Sequence, residues 1–441
     1  MTPAEFRALG RLGGQAAAGV ASRAERVHEA VADRVFRQIK EVSAPVRFIH
    51  DTVARGVYLG VKSACEAAGV AGGEIMSKLG ADGDPPPAGH RWFNSQVSYS
   101  RVNLGVGVGV GRAPLGDTAL AALNAVAGDR LGNDVAPLAI RMAVRKAGRD
   151  VGLASEELAE AFPEATSRLA VFVHGLAETE DAWLGFGWGA RGEDSAPYGE
   201  NLRAHFGYTP VYVRYNTGRH ISDNGRDLAG LLADVTAAWP APVEELLLVG
   251  HSMGGLVIRA ACHYGERQSA AWAGIVRHIF YLGSPHLGAP LARAAGLAGW
   301  ALARTAETRP FVTLVNGSSA GIKDLRYGYV VDGDWTGCDL DSCARDHRGD
   351  TPLLPGANHH AIGATVTGDP GSPFGAVVGD LLVTPGSAHG RRRRHQRIPF
   401  RVALSHVFGG MHHLDLLNHP AVWEAMHGRL AGAVSGGGSS V

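Results

Sequence analysis

The chain has 441 residues, of which 45% are hydrophobic and 19% are charged, and this composition excludes a wholly disordered protein. Its 42 lysine and arginine residues balance its 42 aspartate and glutamate residues. The sequence therefore lacks the positive charge typical of nucleic-acid-binding proteins, and we expect no nucleic-acid partner. Four cysteines in a chain of this length exclude a scaffold built on disulfides.

The first part of the chain has a helical pattern. Apolar residues recur there at helical spacing: Val27, Val31, Val35 and Ile39. Three successive prolines at 85–87 interrupt the pattern, and helical character returns over 117–160. We expect residues 1–160 to form an N-terminal helical region, whose role the sequence does not indicate. The first 23 residues have scattered arginines and lack the compact apolar core of a secretory signal, which predicts a cytoplasmic location, with peripheral membrane contact as an option.

From about residue 165 the sequence changes to short apolar runs separated by helical stretches, a pattern typical of an α/β sheet. Runs rich in leucine and β-branched residues predict parallel strands that are buried on both faces. The six predicted strands lie within 168–175, 209–216, 245–250, 278–285, 359–366 and 399–408. We expect an α/β domain over 161–434, with a mostly parallel sheet and helices on both faces, and a flexible tail over 435–441.

One short segment combines a strand, a sharp turn and a helix. The predicted strand ends at Gly250, Ser252 follows two residues later, and a helical run begins after it, so the segment has the pattern G-x-S-x-G. In this arrangement the turn lifts the serine hydroxyl out of the sheet, and the helix N-terminus lies beside the charge that develops during acyl transfer. We predict that Ser252 is a nucleophile. The alternative is an inert serine in a structural turn.

Acyl transfer also needs two N–H donors for the oxyanion. The first predicted donor is the backbone N–H of Met253, directly after the serine. The segment VFVHGLAET, at 171–179, closes an earlier strand and turns back, so we assign the second donor to the backbone N–H of Leu176. In the alternative, His174 and Gly175 only shape the turn.

Three segments, VHGLAET, GHSMGGLV and YLGSPHLGAP, resemble the α/β-hydrolase superfamily. More narrowly, they resemble the bacterial triacylglycerol lipases and esterases and their inositol-deacylase-like relatives. The resemblance covers about 165 to 430, and residues 1–160 carry none of its motifs. It implies an α/β-hydrolase fold, a serine–histidine–acid triad and an ester-type substrate, with no required cofactor.

The resemblance also implies the order serine, acid, histidine along the chain. In the related lipases the catalytic histidine directly precedes a hydrophobic-Asp-Leu-Leu run, which favours His413 over His412. Asp380 stands in GDLLVTPGSA, which resembles the family's G-D-x-x-V-x-x-x-S-A, and is the favoured acid. Asp369, just after a predicted strand, is the second candidate. For either carboxylate the alternative is a solvated loop position or a helix cap.

Aromatic residues follow the predicted oxyanion turn: Trp183, Phe186 and Trp188. They would either line an acyl pocket or pack as the core of a loop, and the sequence leaves both open. The apolar segment 289–310 is likewise either a lid over the site or an ordinary packed helix.

Cys338 and Cys343 stand with His347 in one predicted loop. A single cysteine pair lacks the second pair of a structural zinc site, so we expect no metal, while a disulfide across the loop stays open. No spacing among the 20 histidines matches a metal-binding motif.

Together these residues predict a carboxylic-ester hydrolase of the lipase or esterase type, which works through an acyl-enzyme on Ser252 and takes an acyl ester or lipid as its partner. A deacylase acting on lipid head groups and a thioesterase are alternatives within the same chemistry. An alternative from another class is a lipid-droplet or polymer-granule binding protein whose hydrolase domain is a scaffold. Peripheral contact with a lipid surface is compatible with each of these functions.

Overall fold

The computed structural model describes residues 139–184, 196–289, 319–338, 347–392 and 395–436, together with scattered residues between 14 and 131. The chain forms two compact units, one of Met1–Val110 with Pro114–Ala122 and one of Gly111–Ala113 with Leu123–Val441. In the first unit every described residue is helical, and Lys62 Nζ lies 2.7 Å from Glu25 Oε2. The four apolar residues that predict a helix from Val27 to Ile39 lie outside the described residues.

The described part of the second unit contains a large sheet and a small hairpin. Its strands are β1 Ala143–Lys146, β2 Arg149–Val151, β3 Arg168–Val173, β4 Thr209–Arg214, β5 Glu245–His251, β6 Val276–Leu282, β7 Asn358–Thr365, β8 Arg391–Arg392, β9 His395–Gln396 and β10 Ser405–Gly409. Eight of them form one sheet in the order β2-β1-β4-β3-β5-β6-β7-β10, while β8 pairs with β9. The strands from β4 to β10 in that order run parallel, whereas β1 pairs antiparallel with both β2 and β4.

Helices alternate with the strands along the chain. They are α1 Ser155–Ala161, α2 Tyr198–Phe206, α3 Ile221–Ala238, α4 Met253–Arg267, α5 Ala320–Tyr327, α6 Asp332–Trp335, α7 Pro373–Val378, α8 Pro385–Ala388 and α9 Pro420–Gly436. Short 3₁₀ turns lie at Glu180–Trp183, Ala271–Ile275, Val402–Leu404 and His413–Leu416. Within the ranges that the structure describes, no helix combines the length and the apolar character needed to cross a bilayer.

The side chains of β5 alternate between two hydrophobic layers, one on each face of the sheet. On one face Leu248 packs in the same core as Leu228 of α3. On the other face Val249 packs with Leu202 of α2 and Met426 of α9. The predicted fold class, a mostly parallel α/β sheet with helices on both faces, is therefore confirmed.

The helical character expected over 117–160 is wrong for 143–151. There β1 and β2 form an antiparallel hairpin, which extends the sheet upstream of residue 161. Its two-residue loop, Ala147 and Gly148, has φ values of 49° and 76°, the positive values of a tight hairpin turn. The segment is too short for the spacing of its apolar residues to distinguish a strand from a helix. The residues of the turn are therefore the better indication of a hairpin in this part of the sequence.

Candidate active site

Ser252 occupies a strained turn between β5 and α4. Its φ and ψ are 50° and −118°, a combination that residues with a Cβ rarely adopt. Its backbone N–H donates to the carbonyl oxygen of Leu282 on β6 over 2.8 Å, which ties the turn to the neighbouring strand. The turn lies at the carboxyl end of a central parallel strand, where ligands bind in open α/β sheets.

Glycines around the serine allow the strand and the helix to approach each other. A Cβ on Gly250 would lie 2.6 Å from the backbone nitrogen of Gly255. A Cβ on Gly254 would lie 2.2 Å from the carbonyl oxygen of Val173 on β3. Real Cβ atoms do not approach backbone atoms so closely, so the packing of β5, α4 and β3 requires both glycines of the G-x-S-x-G pattern.

His413 and Asp380 form a buried pair. The Nδ1 of His413 lies 2.8 Å from Oδ2 of Asp380, and the two side chains are 5% and 1% exposed. The backbone N–H of His413 also donates to the carbonyl oxygen of Asp380 over 3.0 Å. Asp380 therefore orients His413 by contacting both the ring and the main chain of the histidine.

Asp380 is itself held in a narrow turn. Its Oδ1 accepts the N–H groups of Leu382 and Val383 over 3.0 and 2.7 Å, and its own N–H donates to the carbonyl oxygen of Val383. Leu381 has a φ of 87°, and a Cβ on Gly379 would lie 2.1 Å from the Val383 carbonyl oxygen. The turn fixes one carboxylate oxygen by main-chain contacts and leaves the other for the histidine.

The second ring nitrogen of His413, Nε2, is buried and has no hydrogen-bond partner among the described residues. Burial alone would lower the pKa of His413, but the charge and hydrogen bond of Asp380, with a smaller contribution from Glu178, raise it above its usual value. Because Asp380 accepts at Nδ1, the neutral ring carries its proton there. Nε2 is therefore the nitrogen that can accept a proton.

His413 lies against the residues around the serine turn. Its ring centroid is 4.8 Å from that of His251, the residue before Ser252. A Cβ on Gly283 would lie 2.9 Å from Cε1 of His413, and Gly283 follows Leu282, which accepts the Ser252 N–H. The histidine from the last loop and the serine after β5 thus share one neighbourhood at the ends of β5 and β6.

The two predicted oxyanion donors lie on turns after neighbouring strands. Leu176 is in a turn after β3 that is closed by the N–H of Glu178 donating to the carbonyl oxygen of Gly175 over 3.3 Å. The next residue in this turn, Ala177, has a φ of 59°. The N–H of Leu176 donates to none of the described residues. Met253 is the first residue of α4, where a backbone N–H has no acceptor within the helix.

The alternative triad residues lack these contacts. Asp369 is exposed, and its Oδ1 accepts the N–H of Gly371 within its own loop over 2.8 Å. The side chain of His412 is 41% exposed, and its Nε2 lies 3.1 Å from Oδ1 of Asp415. Neither Asp369 nor His412 therefore belongs to a buried acid–histidine pair like that of Asp380 and His413.

The predicted substrate-binding aromatics are only partly described. Trp183 is 1% exposed, and its ring centroid lies 5.1 Å from that of Phe172 in the core. Such burial is typical of the loop-core alternative, and a role of Trp183 in substrate binding stays a prediction. Phe186, Trp188 and nearly all of the lid candidate 289–310 lie outside the described residues.

Cys338 carries a free thiol in the structure. Cys343 lies outside the described residues. In the described part of the chain, no group of three histidine, cysteine, aspartate or glutamate side chains is placed to hold a metal ion. The expectation that the protein needs neither metal nor cofactor stays a prediction.

The sequence did not predict two residues beside this site. The carboxylate of Glu178 lies 2.9 Å from Nδ1 of His251, and Nε2 of His251 lies 3.3 Å from the carbonyl oxygen of His413. Their signals in the sequence were an acidic residue in the turn predicted to supply an oxyanion donor and an ionisable residue directly before the predicted nucleophile.

A family model, that of the PGAP1-like alpha/beta domain, matches residues 192–337, about a third of the chain. The matched segment contains the Ser252 turn and ends before Asp380 and His413. Comparison with curated proteins gives no match.

Several solved structures resemble about 60% of this chain. They include the mature form of the Bacillus licheniformis lipase BlEst2, at 18% identity over 60% of this chain and 91% of that chain, with a TM-score of 0.37. The naproxen esterase (carboxylesterase NP) of Bacillus subtilis is 13% identical over 60% and 84%, with a TM-score of 0.31. RedJ, a thioesterase from the prodiginine biosynthetic pathway in Streptomyces coelicolor, is 18% identical over 60% and 90%, with a TM-score of 0.33.

Because these TM-scores are low, the structural likenesses carry no weight for the function. The family match and the observed sheet agree with the resemblance that the sequence motifs indicate. The resemblance of this chain to the α/β-hydrolase superfamily is confirmed.

Proposed function

We propose that the second unit is a serine hydrolase that cleaves acyl esters through a covalent intermediate on Ser252, with His413 as the base and Asp380 as the acid of the triad. One observation carries the proposal. His413 is buried, its Nδ1 contacts a buried carboxylate, and its Nε2 is unpartnered within the described ranges. An imidazole with one nitrogen fixed and the other left for a proton is the arrangement that general-base catalysis needs.

In the first half-reaction, Oγ of Ser252 attacks the carbonyl carbon of the ester while its proton passes to Nε2 of His413. Asp380 stays ionised and stabilises the imidazolium that forms. The backbone N–H groups of Met253 and Leu176 donate to the oxyanion. When the tetrahedral intermediate collapses, the C–O bond to the alcohol breaks, and His413 returns the proton to the leaving oxygen.

In the second half-reaction water takes the place of the alcohol. His413 removes a proton from the water as the water oxygen attacks the acyl-enzyme, and then protonates Oγ of Ser252 as the carboxylic acid leaves. The contacts with Asp380 that raise the pKa of His413, against the effect of burial, support both steps because each forms an imidazolium.

Carboxylic esters, as in lipases and esterases, are the proposed substrate class. The motifs that resemble those families support this choice, and the PGAP1-like family match supports a hydrolase. The same triad would also cleave a thioester or an acyl group on a lipid head group. A panel of p-nitrophenyl esters of short to long acyl chains, an acyl thioester and an acylated inositol phospholipid would rank the three.

Ser252→Ala tests the proposed mechanism. We expect the turnover of p-nitrophenyl esters to fall by about 10⁴-fold or more. Ser155→Ala, the same change at an exposed serine that begins α1, should keep wild-type turnover. An organophosphonate should label wild-type protein on the peptide that contains Ser252, as seen by mass spectrometry. Wild-type protein that neither turns over the panel nor takes the label, yet floats with lipid or polymer granules, would be the binding protein instead.

We also propose a cytoplasmic location with at most peripheral contact with a lipid surface. Fractionation of cells followed by an alkaline carbonate wash would separate soluble, peripheral and integral protein. Recovery in the carbonate-resistant membrane pellet would contradict this proposal.

A further inference from the structure

A pair made of a half-buried carboxylate and a buried imidazole lies beside the proposed triad, and the mechanism above does not use it. The two carboxylate oxygens of Glu178 lie 2.9 and 3.0 Å from Nδ1 of His251, whose side chain is fully buried. The other ring nitrogen of His251 lies 3.3 Å from the carbonyl oxygen of His413. Oε2 of Glu178 also accepts the N–H of Gly175 over 2.7 Å.

Each ring nitrogen of His251 faces an oxygen that accepts hydrogen bonds. A carboxylate and a carbonyl oxygen only accept hydrogen bonds, so both ring nitrogens must carry a hydrogen if both contacts are hydrogen bonds. A neutral imidazole carries only one hydrogen on its nitrogens, so both contacts can be hydrogen bonds at once only if the pair holds two protons, either both on His251 or one on each residue.

The surroundings of Glu178 favour its ionised form. Its Oε2 already accepts the Gly175 N–H. Burial would raise the pKa of Glu178, but the contacts with His251 and with the Gly175 N–H hold it below its usual value. With Glu178 as the carboxylate, both contacts of His251 are hydrogen bonds when its ring is an imidazolium.

The pair borders the strained turn that carries Leu176. Leu176 and Ala177 are the central residues of this turn, and the positive φ of Ala177 is unfavourable for a residue with a Cβ. A strained turn keeps its geometry only where its surroundings fix it. Glu178 fixes this turn twice, because its N–H closes the turn and its carboxylate binds the N–H of Gly175 at the start of the turn.

We propose that Glu178 and His251 are positioning residues that hold the oxyanion turn against the serine turn and against the main chain of His413. The pair joins three parts of the site: Gly175 by a hydrogen bond, Ser252 by the peptide bond to His251, and His413 through its carbonyl oxygen. The inference rests on the proposed function, since it assigns these residues a task in the same reaction. Loosening the pair would weaken stabilisation of the transition-state oxyanion more than binding of the substrate.

The charge on His251 can be measured without an assay of activity. In protein labelled with 15N-histidine, an imidazolium gives two protonated ring nitrogens, whereas a neutral ring gives one protonated and one bare nitrogen. The signals that disappear in His251→Gln identify this ring. We expect two protonated nitrogens at neutral pH in wild-type protein, and one in Glu178→Gln. A neutral His251 in wild-type protein would overturn the proposal, whether or not the protein cleaves esters.

The kinetic test uses Glu178→Gln, which keeps the size and a hydrogen-bond acceptor but removes the charge. We expect kcat for a p-nitrophenyl ester to fall at least about tenfold while KM stays within about twofold, because an oxyanion donor acts in the transition state. Glu160→Gln makes the same change at an exposed glutamate of α1 and should alter neither constant.

The outcomes separate the two proposals. An unchanged kcat in Glu178→Gln, with Ser252→Ala inactive, would overturn the positioning role and leave the proposed function standing. A wild-type protein without turnover would overturn the proposed function itself, and with it the positioning role. If Glu178→Gln does not fold, the 15N measurement on wild-type protein still decides the charge state that the proposal requires.

Discussion

Replacing Asp380 by asparagine tests the triad with the smallest change in shape. In the structure Oδ1 of Asp380 accepts the N–H groups of Leu382 and Val383, and Oδ2 lies 2.8 Å from Nδ1 of His413. In Asp380→Asn the amide oxygen would keep the two main-chain contacts, so the NH₂ group would face the histidine. Two donors cannot bond, so the ring would move its proton to Nε2 in order to accept at Nδ1.

The expected loss follows from this tautomer. A ring that carries its proton on Nε2 cannot accept the serine proton, and no carboxylate remains to stabilise the imidazolium. We expect kcat to fall about 10⁴-fold at neutral pH, which corresponds to about 5 kcal/mol in activation free energy. Asp380 is 1% exposed and lies behind His413, so KM should stay within about twofold.

Initial rates with p-nitrophenyl butyrate measure this loss, and circular dichroism with thermal unfolding shows whether the fold is kept. Asp369→Asn makes the same change at the exposed second candidate and should leave kcat within about twofold of wild type. The assignment of the acid would be refuted if Asp380→Asn kept more than about a tenth of wild-type kcat, or if Asp369→Asn lost as much.

Two further predictions concern pH. Because Asp380 raises the pKa of His413 despite its burial, kcat/KM should rise with pH through an apparent pKa above the usual value of 6.5, and an apparent pKa below that value would contradict the pairing. Burial lowers the pKa of His360 to about 2 and that of His359 to about 4. Both folded values lie below that of the unfolded chain, so their contribution to stability is complete above about pH 6.5 and is lost as the pH falls, by about 2 kcal/mol for each at about pH 5. Urea unfolding at about pH 7.5 and about pH 5 measures the loss, and an equal free energy of unfolding at both would contradict it.

The parallel strands were predictable because burial on both faces leaves a continuous apolar run. The runs at 168–175 and 245–250 became β3 and β5 with ends shifted by no more than two residues. The hairpin of β1 and β2 was not predictable in the same way, because its strands are short and partly exposed. Its antiparallel pairing with β4 extends the sheet at one edge, a contact that no local pattern encodes.

The sequence motifs named the residues that meet in the site, but not the contacts that hold them. Asp380 and His413 were paired by resemblance, and the structure has them in contact; their catalytic roles stay predictions. Glu178 and His251 are far apart in the sequence, and they meet because β3 and β5 are neighbours with Val173 opposite Gly250. Such a pair follows from strand register and not from local spacing, so it could not be read from one sequence.

The three turns of the proposed site share a feature that links their local strain to their task. Among the described residues, six that are not glycine have a positive φ, and Ala177, Ser252 and Leu381 are three of them. They lie respectively in the turn of the proposed oxyanion donor Leu176, at the proposed nucleophile and beside the proposed acid. Each such residue costs on the order of 1–3 kcal/mol and persists only where contacts from its surroundings fix it. Glycine would remove that strain but would admit other backbone conformations, and the donors, the hydroxyl and the carboxylate would then have to be ordered during the reaction. In the proposed reaction, the strained turns would hold these groups in place before a substrate arrives.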